Sequence, residues 1–228
     1  MTPFLQRHYA NILSLFNLIC GLIALIFIIY NDYILAIIFF FFGQFFDLFD
    51  GKLARKYGST KYGPLYDDIA DSVSFGFLPG ISFITIYGVN VYSLFISGIY
   101  IFSVIYRLWR FVKKDVYNET IKIGNFNGLP SPAGALLVLS FMMLKINIYV
   151  TSTIIIIVSI LMMSQISFAH FGKIIMKKIN KKMTLLFSII SIFVIVISQR
   201  LENMNVFFSY CFFLGIFYIF LGWVLRVK

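Results

Sequence analysis

The chain has 228 residues, of which 61% are apolar and 12% charged, with a mean hydropathy of +0.93; that is roughly half the charge of an ordinary soluble domain. Its net charge of +10 would suit nucleic acid, but the basic residues sit in short connections between apolar stretches, which excludes that partner and points to a membrane surface. Cys20 and Cys211 both fall inside apolar stretches, so neither a disulfide framework nor a zinc site is expected.

In chain order, residues 2–10 suit a short interfacial helix. Spans are predicted near 11–30, 33–50, 66–88, 91–109, 131–147, 148–169, 183–199 and 205–225, most of them close to the ~20 residues that cross hydrocarbon. The first apolar stretch lacks a small-residue cleavage site and is expected to stay as a membrane helix. With eight spans, the termini and the even-numbered connections share one side, and of the 19 Lys and Arg only Lys145 and Arg200 lie opposite. The positive-inside rule places that basic side in the cytosol. The expected fold is therefore an all-α integral membrane protein, one polytopic domain over residues 1–228, with about eight transmembrane helices and both termini cytosolic. The basic run Lys173–Lys182 reads as a lipid-facing surface, and His8 and His170 as interfacial bystanders.

Acidic residues are concentrated where such a chain should avoid them. Asp47, Asp50, Asp67, Asp68 and Asp71 are five of its nine acids and fall within residues 47–71, although a carboxylate at the bilayer centre costs about 3 kcal/mol. Asp47 and Asp50 are three apart, and Asp67 and Asp71 four apart, so each pair occupies one helical face. The second predicted span enters the cytosolic surface and the third leaves it, so the two pairs converge at one cytosolic rim. Like charges gathered there call for a polycation. Hard oxygen ligands suit Mg2+ or Mn2+, with Ca2+ as a third candidate, and two such ions about 4 Å apart are a common device for displacing a phosphate ester. Gly51 clears space for a substrate against the backbone, and Arg55, one turn on, is placed for a phosphate. The competing reading pairs these acids with Lys52, Arg55 and Lys61 at the interface; it leaves the helical phasing of both pairs unexplained.

The run Asp47-Leu-Phe-Asp50-Gly51-Lys-Leu-Ala54-Arg55, followed by Gly63-Pro-Leu-Tyr-Asp67-Asp-Ile-Ala-Asp71, resembles the motif DxxDGxxAR…GxxxDxxxD of the CDP-alcohol phosphotransferase family. All eight fixed positions are filled. Seven residues separate Arg55 from Gly63, where eight or nine are common, a difference that falls in a loop. Further segments resemble the serine-accepting branch of the family: Asn11-x-x-Ser14-x-x-Asn17-x-x-Cys20-Gly21, Ala70-Asp71-Ser-Val-Ser74-Phe75-Gly76 with Pro79, Arg107-Leu-Trp-Arg110-Phe111, Phe126-Asn-Gly128-Leu-Pro130-Ser-Pro132-Ala, and Met163-Ser164-x-Ile166. The likeness covers about residues 11–175. Asp68 stands where Ser is usual, Trp109 where a small residue is, and Val112 where Asn is; the last two lie near the expected acceptor site and bear on acceptor choice more than on the chemistry.

The resemblance implies that an acceptor hydroxyl attacks the β-phosphorus of CDP-diacylglycerol and CMP leaves. It implies Asp47, Asp50 and Asp67 as metal ligands, and Asp71 as the general base that also touches the second of two ions. Ser14, Asn17, Gly51, Ala54, Arg55 and Gly63 would meet the nucleotide and its diphosphate; for Ser14 and Asn17 the competing role is interhelical bonding. Arg107 and Arg110 would hold the serine carboxylate or the lipid phosphate, against a competing role as headgroup-seeking side chains. Asn127 and Ser131 would close over the acceptor or else cap the fifth span. The implied partners are CDP-diacylglycerol, L-serine, membrane lipids and a second copy of the chain, in a prokaryotic cytoplasmic membrane. Two alternatives remain: another acceptor, such as glycerol 3-phosphate or inositol phosphate, or a cation transporter. The transporter reading expects ionisable groups at mid-membrane and repeated halves, neither of which this sequence offers.

Overall fold

The computed structural model describes residues 3–58, 60–117, 125–169 and 181–226. Helices dominate: α1 (Pro3–Ile29), α2 (Tyr33–Tyr57), α3 (Gly63–Asp71, continued through a π-helical turn Ser72–Phe77 into Leu78–Tyr87), α4 (Val91–Tyr117), α5 (Ser131–Met143), α6 (Ile148–Met163), α7 (Lys181–Arg200) and α8 (Asn205–Val224). Strands β1 (Asn125–Asn127) and β2 (Ser167–Ala169) pair antiparallel, with Phe126 opposite Phe168.

Among the described residues, five helical stretches are long and apolar enough to cross a membrane: His8–Ile29, Tyr33–Ala54, Gly63–Tyr87, Val91–Arg110 and Asn205–Val224. Many large apolar side chains on them are exposed, including Leu15, Ile26, Phe95, Phe102 and Phe213, as lipid-facing surfaces require. The protein is an all-α integral membrane protein.

Several boundaries differ from the predicted ones. Residues 3–10 form no separate interfacial helix; they are the first turns of α1. Helix α2 runs past the predicted end at residue 50 to Tyr57, so the whole first half of the acidic motif is helical. The predicted spans at 131–147 and 148–169 are shorter helices. At 13 and 16 residues, α5 and α6 reach only about 20 and 24 Å at 1.5 Å per residue. Lys145 takes a positive φ of 52° and breaks α5, Asn147 caps α6 by accepting from the Tyr149 N–H at 2.8 Å, and Ser164 turns α6 into β2. The apolar run continues through these breaks, which is why hydropathy alone extended the spans.

Residues 1–108 and 109–228 form two compact units. In the first, α1 and α2 form a hairpin. Asn31 adopts φ 61° at its turn, and the Asp32 carboxylate caps α2 by accepting from the Leu35 N–H at 3.1 Å. The core beneath is Ala24, Ile28, Ala36, Ile37, Phe40 and Phe75, with Phe40 and Phe75 edge to face at 6.1 Å. Pro79 has a local consequence. Lacking an N–H, it cannot bond the carbonyl four residues back, that of Phe75. The buried Tyr100 hydroxyl of α4 donates to that orphan at 3.0 Å, and just upstream the Leu78 N–H reaches back five residues to Val73, the bond of a π turn. Close α3–α4 packing follows from small residues: the Ser97 hydroxyl donates to the Gly80 carbonyl at 2.8 Å, and a Cβ at Gly80 would stand 2.7 Å from Ile101.

In the second unit α5 packs on α8, where Gly215 admits Leu137 and the rings of Phe141 and Phe212 lie 4.9 Å apart. Ser191 on α7 and Tyr210 on α8 share a hydrogen bond of 2.7 Å.

Candidate active site

Helix α2 carries Asp47 and Asp50 on one face, and α3 carries Asp67 and Asp71 on one face of its first nine residues. The two helices bring one carboxylate oxygen each from Asp47, Asp67 and Asp71 within 4.8 Å of one another. Asp50 stands beside this trio, only 3% exposed, accepting from the Ser14 hydroxyl at 2.9 Å and facing Asp67 and Asp47. Asp71 accepts from the Asn17 Nδ2 at 3.2 Å and lies in the field of Asp47, Asp67, Asp50 and the Arg107 guanidinium. Asp68 faces Asp67 and Arg107 from outside the trio.

The donor set fits a hard divalent cation. It consists wholly of carboxylate oxygens, the choice of Mg2+, Mn2+ and Ca2+, and the Asp67 Oδ1 atom is buried with no hydrogen-bond partner. Such an oxygen, surrounded by like charges, is costly without a cation to meet it.

The remaining predicted site residues separate into groups. Ser14 (3% exposed) and Asn17 (0%) are buried on α1 and bond to Asp50 and Asp71. Gly51 and Ala54 continue the Asp47 face of α2, half-buried, and Gly63 is buried at the start of α3 with its N–H on the Thr60 carbonyl at 3.1 Å. The side chain of Arg55 lies outside the described residues, as do His170 and the side chains of Lys173–Lys182. Arg107 is buried against the acids, facing Asp47, Asp68 and Asp71.

Arg110 does something the sequence did not reveal. Its guanidinium donates to the Met163 carbonyl at 2.6 Å, to Met162 at 3.2 Å and to Asn127 at 2.9 Å. The first two are among the last carbonyls of α6, which no intrahelical N–H can reach. Gly128 completes the clasp. At φ 82°, its N–H bonds the Ile166 carbonyl at 2.8 Å, and a Cβ there would collide with the Met162 carbonyl. The next N–H, of Leu129, bonds Leu161 at 3.0 Å. Three segments that looked like separate motifs, around Arg110, Gly128 and Ser164, thus meet at one helix end. Asn127 contributes its carbonyl to this clasp. Ser131 is fully buried as the first residue of α5, and Pro130, not Asn127 or Ser131, occupies the cap position with no side-chain capping bond. Replacing Arg110 by Ala is expected to cost about 2 kcal/mol of stability, because charge-assisted bonds to otherwise unmet carbonyls are lost. Thermal unfolding in detergent, followed by loss of the monodisperse species, checks this; an unchanged midpoint would contradict it.

Asn11, Thr60, Gly43 and Ser74 also shape the site, although none of them carries a predicted role. Asn11 and Thr60 exchange hydrogen bonds of 2.9 and 3.2 Å, tying the α2–α3 loop to α1. The signal available was the three-residue spacing of Asn11, Ser14 and Asn17 in an otherwise apolar helix.

Helices with this hydropathy, gathering carboxylates from two neighbouring elements and flanking them with Gly51 and Gly63, define a membrane enzyme that handles phosphate. The pattern of the CDP-alcohol phosphatidyltransferase family matches residues 7–162, more than half of the chain, and the chain belongs to that family of phospholipid-synthesising transferases. Among its relatives, the CDP-diacylglycerol–serine O-phosphatidyltransferase of Bacillus subtilis (strain 168) is 34% identical over 172 residues, covering 74% of this chain and 93% of the relative. The protein of the same name from Methanocaldococcus jannaschii is 31% identical over 163 residues, covering 71% and 74%. That from Helicobacter pylori (strain 26695) is 29% identical over 173 residues, covering 71% and 69%.

Proposed function

We propose that this enzyme transfers the phosphatidyl group of CDP-diacylglycerol to the hydroxyl of L-serine, giving phosphatidylserine and CMP. The observation that carries the reading is the meeting of Asp47, Asp67 and Asp71 from two helices within one ion's reach, in a chain similar to relatives named for this reaction. The step is a direct displacement. A new bond forms between the serine oxygen and the β-phosphorus, the bond from that phosphorus to the CMP oxygen breaks, and CMP leaves with the electron pair. The hydroxyl proton goes to the Asp71 carboxylate.

Asp47, Asp50, Asp67 and Asp71 would hold one or two Mg2+ or Mn2+ ions, which when bound supply charge neutralisation to the diphosphate and make it a better electrophile. The chain's own part is positioning. A carboxylate is a weak acceptor for an alcohol proton, so orientation at close range must supply much of the rate. Gly51, Ala54, Arg55 and Gly63 form the nucleotide side. Among the described side chains, Arg107, buried among the acids, is the cation best placed for the anionic acceptor or for the phosphate as it changes partners. The chain is read as one polytopic domain of about eight transmembrane helices, with both termini and the carboxylate rim in the cytosol, as the Lys and Arg distribution favours. The setting is a prokaryotic cytoplasmic membrane, and the working form a homodimer.

An acceptor panel tests the reading. Purified protein in lipid nanodiscs, given CDP-diacylglycerol and Mn2+, is expected to release CMP and form phosphatidylserine in equal amounts with serine. Preferential CMP release with glycerol 3-phosphate or inositol phosphate would reassign the acceptor. Mn2+ flux into sealed vesicles without CMP release would replace the enzyme reading by a transporter.

A further inference from the structure

Helix α1 runs past the acids with polar residues at every third position, and each meets a different part of the motif. Asn11 bonds Thr60 in the α2–α3 loop, Ser14 bonds Asp50 on α2, and Asn17 bonds Asp71 on α3. Three residues raise a helix by about 4.5 Å, so the three contacts climb α1 as a ladder.

Asn17 is the most constrained rung. Its side chain is 0% exposed. Its amide must present Nδ2 to Asp71, because the amide oxygen in that place would face a carboxylate with no proton between them. Its backbone carbonyl accepts from the Ser74 hydroxyl, in the π turn, at 3.1 Å. Ser74 in turn lies so close to Gly21 that a Cβ there would collide with its hydroxyl. On the remaining side stands Gly43 of α2, where a Cβ would lie 3.0 Å from the Asn17 Oδ1. That oxygen is buried without a hydrogen-bond partner. Asn17 is thus tied to Asp71 through its side-chain amide and to the π turn through its backbone carbonyl, with Gly43 of α2 beside its amide oxygen.

We propose that Asn17 is a positioning residue for the transfer: by donating to the Asp71 Oδ1 it fixes the plane of that carboxylate and presents its other oxygen to the acceptor hydroxyl, with Gly43 keeping the space the amide needs. This rests on the reading of Asp71 as the proton acceptor, and it differs from the nucleotide contact that the sequence suggested for Asn17. The π turn acquires a purpose in the same arrangement, since it sets the register that lets Ser74 and Asp71 grip one residue of α1 together.

The test is a double-variant cycle of Asn17→Ala and Asp71→Asn in nanodiscs with radiolabelled serine, CDP-diacylglycerol and Mn2+, with Mn2+ affinity read separately by electron paramagnetic resonance. Asn17→Ala is expected to lower kcat by between about tenfold and a hundredfold, with the KM for CDP-diacylglycerol and the Mn2+ Kd changed less than about threefold. Adding Asn17→Ala to Asp71→Asn is expected to cost nothing further, since the residue then has nothing to orient. Gly43→Ala, which touches no aspartate, is expected to show the same kcat-only signature with a smaller loss, and it keeps the proposal exposed should Asn17→Ala fold poorly. A rise in the CDP-diacylglycerol KM of more than about tenfold at unchanged kcat would make Asn17 a nucleotide ligand and overturn the proposal. Losses that multiply in the double variant would overturn it alone, leaving Asp71 as base. An Asp71→Asn variant with the wild-type rate would remove the base reading itself and this proposal with it.

Discussion

Asp71→Asn is expected to lower serine-dependent CMP release by about a thousandfold, within the range that general-base catalysis supplies. The substitution conserves shape and removes only the ability to accept a proton. It also places an amide opposite the Asn17 Nδ2, where a carboxylate stood at 3.2 Å, and reduces the negative charge that Asp47, Asp67 and Asp50 present to one another. The variant should therefore fold at least as well as the parent. Because Asp71 also belongs to the oxygen cluster, a loss could come from weakened ion binding instead. Raising Mn2+ separates the two: a ligand defect is relieved by mass action, whereas the loss of a proton acceptor is not. Restoration of most of the rate at high Mn2+ would move Asp71 from base to ligand.

How much of this was readable beforehand follows from the range of each signal. The apolar runs and the helical phasing of Asp47 with Asp50 and of Asp67 with Asp71 are local patterns, so the all-α membrane class and the pairing of the acids could be read directly. Other features depend on partners far along the chain. Asn17 and Asp71 are 54 positions apart, and Arg110 finds its carbonyls 52 and 53 positions away. A sequence states that an arginine seeks negative charge, and an unmet helix carbonyl satisfies that need as well as a phosphate does. The π turn was hidden for a different reason: Pro79 announced a disturbance, but the hydroxyl of Tyr100 that takes up the Phe75 carbonyl lies on another helix. Hydropathy also overran the ends of α5 and α6, because Leu144, Ile146 and Ile166 keep the run apolar where the backbone turns.

Four carboxylates gathered in a largely buried place work against the fold whenever no cation is present, and this gives the second large effect. Asp67 is the informative position: its Oδ1 is buried without a partner, and Asp50 and Asp47 face it. Asp67→Asn is expected to remove activity and yet to stabilise the metal-free protein by about 1–2 kcal/mol, the usual size of gain when a functional strain is relieved. In the parent, saturating Mn2+ should recover that difference and more, because binding at a hundred times Kd contributes about 2.7 kcal/mol. Thermal unfolding of both proteins, with a chelator and with Mn2+, therefore carries a crossover: the variant melts higher without the ion, and the parent melts higher with it. A parent that is the more stable of the two under chelation would mean the acids are settled by protein groups alone, and a melting temperature indifferent to Mn2+ would mean that the cluster holds no ion. The cost that the fold bears in keeping these side chains together is on this account the same free energy that the ion later offsets, so the site is most stable in the state in which it can react.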